Sequence, residues 1–592
     1  MHHLLKTYAY MLLAILFTIF QLACSKDSDL LADQLLPSGE ASIIEGVFTK
    51  EDFSTTTPGQ SVVIDVLGND EFPDPDGVKI IEVSQPKNGT ITINADRTLT
   101  YSPTAPPAGA EAPTESITDN FEYTTEGGTT EENEVVQETA PVTVTITPPA
   151  PVQGENVYYV TVNGSKSNNG RSEAAAWSFE QAISSAGAGD IVYIKAGNYG
   201  NLQLELYKNG SANEPIQFIG YRNTPGDILA NQGSTFAYGD AIDANKMPLF
   251  TGSAPNGNGN GTAISIRGTH VKIKNIQITN YQTGVAGFAE YVDLNNIIVS
   301  KVGDFRSNIG GFSDYNGFGI RIMGNNSTIT NTMILNAGAE GISLRDCDEC
   351  EVTYTEVAAD NNTNPTDYYI LLTGGTENSK IDHCTVRRKS GLEHFGHGFS
   401  LKAGANNNTV SNSWAINTSI ELQFSDVRDN TVINSKITGT YNQNKDYAGG
   451  ITVANGAHHN VFQNIQIDNV YSGIRFSDWK DGSNLPNDAV DAGNNNQYID
   501  VSVSNSHFGI DFNEFEKLEG KAWDNEFVKC NFSNISTLFR VNRPNSGNKF
   551  ISCTIENVGT LQHTSNNFNY LLNIDTIFET VNWINVAFKF PQ

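Results

Sequence analysis

Basic residues are scarce in this chain of 592 residues: 36 Lys and Arg stand against 66 Asp and Glu, a formal charge of -30. About half of that charge lies in residues 45–150, where 19 acids and 4 bases leave -15. A chain this acidic stays soluble and repels anions in bulk. That argues against nucleic acid as a partner, and any anionic ligand needs a locally basic site. Cysteine is also rare, with six in all. Cys347-x-x-Cys350 has no second pair of the same spacing to complete a zinc site. No glycine-rich loop precedes a helix, so phosphate and nucleotide chemistry find no support.

The N-terminal apolar run, Met11 to Phe20, is broken only by Thr18. It falls short of the ~20 residues that a membrane span needs. Lys6 gives it a charged start, and it ends in Leu22-Ala23-Cys24. That ending resembles the lipobox of bacterial lipoproteins, with Gln21 a departure from the usual Leu. The resemblance implies removal of a signal peptide, residues 1–23, and acylation (palmitate among the chains) of Cys24. Ser25-Lys26-Asp27-Ser28-Asp29 is similar to the surface-export signal of Bacteroidetes lipoproteins. Residues 24–44 would then be a tether, and the protein would sit on the outer face of the outer membrane.

Residues 45–150 form a separate unit. "SVVIDVLGND" and "GTITINADRTLTYSP" alternate apolar and polar residues at period two, the mark of half-buried strands. The series Val66-Leu67-Gly68-Asn69-Asp70, Asp76-Gly77, Asn88-Gly89-Thr90 and Asp96 to Pro103 resembles cadherin-like or Ig-like modules of bacterial surface proteins. The resemblance implies a small β-sandwich that spaces or binds. "NDEFPDPDG" reads first as a solvated acidic loop, with calcium as the alternative. "TPPAPVQ" is a proline-stiffened linker.

From residue 155 the texture changes. Strands such as "KIKNIQI", "DLNNIIV", "TITNTMI", "EVTYTEV", "KIDHCTV" and "KFISCTI" recur. There are eleven such strands, with second residues at 273, 294, 329, 352, 381, 410, 432, 462, 499, 527 and 550 and shortest steps of 21, 22 and 23 residues. A coil near 22 residues with Asn at its turns is a solenoid signature. A second strand precedes several of these: "GIRI", "GISL", "YILL", "GFSL", "GITV", "GIRF" and "GIDF". The opening "VYYV…GDIVYIKAGNY", with a short helix over Trp177 to Ala186, resembles right-handed parallel β-helix proteins of the pectate-lyase-like superfamily. The fold class is therefore all-β: a right-handed parallel β-helix of about a dozen coils over residues 155–592, behind the small sandwich. Cys384, Ser413, Ser435, Cys530 and Cys553 share one small inward position. Stacked core thiols are the first reading there, a Cys530–Cys553 disulfide the second. His383 takes the slot of Asn412 and Asn434 and reads as structural.

"EHFGHGFSLK", Glu393 to Lys402, concentrates ionisable groups. Residues 380–402 hold five Lys or Arg against two acids, an anion-facing patch in an acidic chain. With Phe399 and Leu401 inward, Ser400 and Lys402 point out. The repeat register then brings Arg345, Tyr369, Glu421, Gln423 and Arg475 to the same face. Arg387, Arg388, Lys389, His394 and His397 lie in or before the loop. Each has a plain reading as a solvated or turn-bracing residue; their coincidence on one face points to function.

"His397-Gly398-Phe399-Ser400-Leu401-Lys402" is similar to the Asp-Gly-Phe-x-x-Lys segment of family nine pectate lyases, where the Lys is the base. The resemblance implies a polysaccharide lyase that cleaves an acidic, uronate-containing polysaccharide or oligosaccharide by β-elimination. A base removes the proton beside the carboxylate, donors stabilise the enolate-like charge, and an acid assists the leaving oxygen. Lys402 is the candidate base, His397 an acid or second base, and Tyr369 a weaker acid candidate. Arg345, Arg387, Arg388, His394 and Arg475 would hold substrate, Gln423 would hydrogen-bond its carboxylate, and Glu421 would orient Lys402. His397 replaces the family's Asp, and "IELQFSD" replaces its acidic calcium cluster, so the cofactor stays open with calcium as the candidate. The alternatives are a glycoside hydrolase on the same fold, using two of Asp346, Asp348, Glu421 and Asp426, and a noncatalytic glycan-binding lipoprotein. A monomer is expected, and alginate, pectin and ulvan all remain open as substrates.

Overall fold

The computed structural model describes residues 49, 51–70, 77–104, 117–129, 135–146, 156–228, 242–253, 261–303, 316–394, 396–424, 426–441, 449–478, 491–513, 521–563, 572–573 and 575–587. The lipidation candidate Cys24 and the Glu71–Asp76 part of the acidic loop lie outside them.

Residues 52–146 build two small sheets. One has the order Asp52–Thr56, Val135–Ile146, Ile117–Thr129, Lys79–Val83; the other Val62–Ile64, Leu99–Pro103, Gly89–Ile93. Alternate residues of both sheets, among them Ile64, Leu99, Tyr101, Phe121, Tyr123, Val142 and Val144, close a core between them. The period-two pattern of the sequence is the direct cause: one face of each strand is apolar.

After residue 156 the chain winds as a parallel β-helix. One wall is a sheet of thirteen parallel strands running from Leu204–Leu206 to Thr560–His563. The strands between them form the other walls, each paired in register with the coil before and after. Ile273 pairs with Leu294, Ile329 with Val352, Ile381 with Val410, and Phe527 with Phe550, as the repeat spacing predicts. One register position differs. Phe462 pairs with Tyr498, not Ile499. Tyr498 joins an aromatic stack through the core, 4.9 Å from Phe462 and 4.7 Å from Phe527 between ring centroids. An interior tyrosine that stacks this way takes the place an aliphatic residue holds in earlier coils.

Two features make the coil turn. Where two walls meet, one residue per coil adopts the left-handed conformation. From Asn275 through Asn296, Asn331, Asn412 and Asn434 to Asn464 this residue is Asn, except at Tyr354 (φ 50) and His383 (φ 51). Asn enters that region at little cost, whereas other side chains pay ~1–2 kcal/mol. His383 is thus a corner residue, as its slot in the repeat predicts. Its ring stacks on Tyr354 at 4.9 Å, and Tyr354 meets Phe53 of the N-terminal sandwich at 4.0 Å. Tyr354 also donates its phenol to Glu51.

The second feature is the glycine of "GISL"-type strands. A Cβ at Gly319 would stand 2.4 Å from the Gly341 carbonyl oxygen, and one at Gly398 would stand 2.3 Å from that of Ser419. Only glycine allows the next coil to approach so closely. Inside another turn, Asn408, Asn430, Asn460, Asn496, Asn525 and Asn548 form a buried ladder. Each side-chain amide donates to the next side-chain carbonyl at 3.0–3.1 Å.

A helix, Phe179–Ser185, covers the first coil, capped by Ser178 and seated through Phe179 on Phe218 and Phe250. It is shorter than the expected 177–186 because Ser178 accepts the Gln181 amide and starts it there. Cys384, Cys530 and Cys553 are buried free thiols, the stacked-core reading. Cys347 and Cys350 are joined as a disulfide, which the sequence pattern had left without a role.

Candidate active site

The strand His397–Lys402 lies in the middle of the thirteen-stranded wall, between Tyr368–Thr373 and Ile420–Gln423. Phe399 and Leu401 enter the core, as expected. Tyr368 and His397 share one register position on successive strands, Ser400 pairs with Glu421, and Lys402 pairs with Gln423.

Lys402 Nζ donates to the Tyr368 hydroxyl at 2.8 Å. It also sits 4.8 Å from the centre of the Tyr368 ring and 4.5 Å from that of Phe424. Two aromatic faces thus flank Nζ. The Tyr368 ring stacks on His397, centroids 4.6 Å apart and planes 20° from parallel. His397 Nδ1 meets Glu421 Oε2 at 2.6 Å, and Ser419 donates to Glu421 Oε1. The His397 side chain is 31% exposed and that of Glu421 9%. Four side chains therefore form one chain of contacts: Lys402, Tyr368, His397, Glu421.

The charges in that chain reinforce one another. Burial pulls the His397 pKa down, but the Glu421 carboxylate outweighs it and holds the imidazole above its ordinary 6.5. Burial pushes Glu421 up, yet His397, Ser419 and the Arg475 guanidinium hold it below its ordinary 4.5. Each partner thus favours the charged form of the other, imidazolium beside carboxylate. Arg475, three strands beyond Lys402, faces the same wall.

Several expected residues stand elsewhere. Tyr369 is fully buried within the core. The strand bends at this position: Glu340 pairs with Tyr368 and Ile342 with Ile370, so residues 369 and 370 both turn inward. The alternation counted from sequence therefore misses by one, and the tyrosine at the site is Tyr368. Arg388 is also fully buried; its guanidinium donates to the carbonyls of His394, at 2.8 Å, and Leu392. It braces the loop instead of facing a polymer. Arg387 belongs to another wall and pairs with Glu356 at 3.1 Å. His394 Nε2 contacts Asp367 Oδ1 at 2.8 Å, a second brace of the same loop. Arg345 remains on the wall two strands before Lys402, paired with the buried Glu340, which Arg321 also approaches at 3.5 Å. Glu421 orients His397, not Lys402. Gln423 is buried and offers its amide to Ser400 at 3.4 Å.

The residues here do not fit calcium. Both oxygens of Glu421 already accept hydrogen bonds, and among the described residues no group of three or more His, Cys, Asp or Glu is placed to hold a metal ion. Carboxylates and carbonyls in number are what calcium requires. Of the carboxylates named for hydrolysis, Asp426 turns to Arg428 at 3.0 Å and Glu421 pairs with His397.

Residues 45–147 match a family described as a bacterial Ig domain. No curated protein sequence matches the chain. Among solved structures it is similar to a PL6 alginate lyase in complex with a trisaccharide (13% identity, TM-score 0.44, 68% of this chain and 86% of that one). It is similar also to alginate lyase AlyF-OU02 in complex with G6 (14%, TM-score 0.47, 73% and 89%). A third is the family 28 exopolygalacturonase of Yersinia enterocolitica (11%, TM-score 0.40, 92% and 100%).

Proposed function

We propose that this protein is a polysaccharide lyase that cleaves an acidic, uronate-containing polysaccharide by β-elimination. The observation that carries the reading is the hydrogen-bonded Lys402–Tyr368 pair beside the charged His397–Glu421 pair, on the outer face of the long parallel wall. Elimination needs a base for the proton beside the carboxylate, and Lys402 supplies it as the free amine. It needs positive charge where the enolate forms, and the His397 imidazolium supplies that, backed by Arg475. In a chain of charge -30 these groups make a local exception where a polyanion can settle. Glu421 and Asp426 are held by different partners, which favours elimination over hydrolysis by two facing carboxylates. The N-terminal Ig-like unit would space this wall from the membrane, with Cys24 as the acylated anchor on the cell surface.

The test is to incubate purified protein with a panel of acidic polysaccharides and follow the ultraviolet absorbance of unsaturated uronate. Chain shortening without that absorbance would assign a hydrolase, and binding without shortening a glycan-binding protein.

A further inference from the structure

The Lys402–Tyr368 contact says more than that a base is present. Resting on the lyase reading, we propose that Tyr368 is the acid partner of Lys402 and that both act from one face of the sugar. The enzyme is then suited to syn elimination of D-gluco- and D-manno-configured uronates.

The proton inventory follows from the 2.8 Å hydrogen bond. Lys402 Nζ, as the free amine, takes the proton from C5 of the uronate. The C–H electron pair becomes the C4–C5 double bond, and the C4–O bond breaks. The leaving oxygen takes the phenolic proton of Tyr368. The Lys402 ammonium then returns its proton to Tyr368 through the same hydrogen bond. One proton has moved from C5 to the leaving oxygen, and both groups are reset without an external reagent.

Geometry limits the substrate. The two reacting groups touch each other, so they reach the sugar from the same side. In D-glucuronate and D-mannuronate the C5–H and C4–O bonds project from one face of the ring. In D-galacturonate and L-guluronate they project from opposite faces, and acid and base must then flank the ring. Rings hold the Lys402–Tyr368 pair from two sides: His397 stacks on Tyr368, and Phe424 lies over Nζ. The core position of Tyr369 leaves Tyr368 as the tyrosine that contacts Lys402.

The experiment uses four homopolymers: glucuronan, polymannuronate, polyguluronate and polygalacturonate. Unsaturated product is expected from one or both of the first two and from neither of the others. On the accepted polymer, Tyr368→Phe should lower kcat by ~10²–10⁴, the usual worth of a positioned acid, with KM little changed. The phenyl ring preserves the stack on His397, so the fold survives. Tyr369→Phe should keep wild-type kcat. Cleavage confined to polyguluronate or polygalacturonate, or wild-type turnover by Tyr368→Phe, would overturn the inference and leave the lyase reading standing. Absence of unsaturated product from all four, with chain shortening in any, would overturn both.

Discussion

His397 Nδ1 and Glu421 Oε2 stand 2.6 Å apart, an ion pair set between neighbouring strands of one wall. It links the site's chemistry to pH. His397 is held above 6.5, so its contribution to stability is complete below that value and fades as pH rises through the raised value. Glu421 is held below 4.5, so its contribution is complete above that value and fades as pH falls through the lowered one. The pair therefore stabilises most between about pH 4.5 and 6.5. The loss of thermal stability in His397→Gln should be greatest in that window and shrink on the alkaline side, as read by melting curves across pH. Equal loss at pH 6 and pH 10 would show that the pair is not charged in the way described.

Lys402→Met should lower turnover by ~10²–10⁴ and leave the circular dichroism of the fold intact, because the ammonium lies outside the core. Arg388→Met is the contrast. It removes the donors that hold the His394 and Leu392 carbonyls, and leaving buried carbonyls unsatisfied costs ~1–3 kcal/mol. Its melting temperature should fall more than that of Lys402→Met.

Chelators should leave the lyase reaction unchanged. The wall around Lys402 presents His397, Arg345 and Arg475 where a calcium site would need spare carboxylates. Product formation that stops in EDTA and returns with calcium would show that a cation enters the site.

Asn430→Ala should destabilise the β-helix by ~1–3 kcal/mol or more. It opens the ladder on both sides, taking one acceptor from Asn408 and one donor from Asn460, and removes the donor to the Ala405 carbonyl. Hydrogen exchange should rise in the coils next to residue 430 first, since each coil in such a stack depends mainly on its neighbours.

Cys24→Ser should move the protein from the membrane fraction to the soluble fraction, since acyl chains would supply the anchor. Membrane association that persists would remove the lipoprotein reading.

The repeat was legible because each coil must bury an apolar face against the next, and that leaves Ile, Val and Leu at recurring places. It held from Ile273 to Val432 and slipped where Tyr498 took an interior place, because tyrosine gives no clear inward or outward signal. The same ambiguity misplaced Tyr369. In "YYILL" two tyrosines precede the apolar residues, and the bend that turns Tyr369 inward is marked in other coils by glycine. The site segment was legible as a density of charge, but its pairings were not. Arg387 and Arg388 end the strand Thr385–Arg388 and His394 lies on the loop after it, and the repeat spacing alone does not pair them with Glu356, the loop carbonyls or Asp367.

The two interruptions in the asparagine corners have a wider meaning. Tyr354 and His383 accept a backbone conformation that Asn would enter more cheaply, and in exchange Tyr354, stacked on the His383 ring, meets Phe53. A periodic molecule has no natural landmark: every coil resembles the last, and a neighbouring module could slide along it. By breaking the pattern in two adjacent coils, the chain gives its N-terminal module an address. The position of that module along the rod, and so its distance from the strand that carries Lys402, is written as a fault in the repeat.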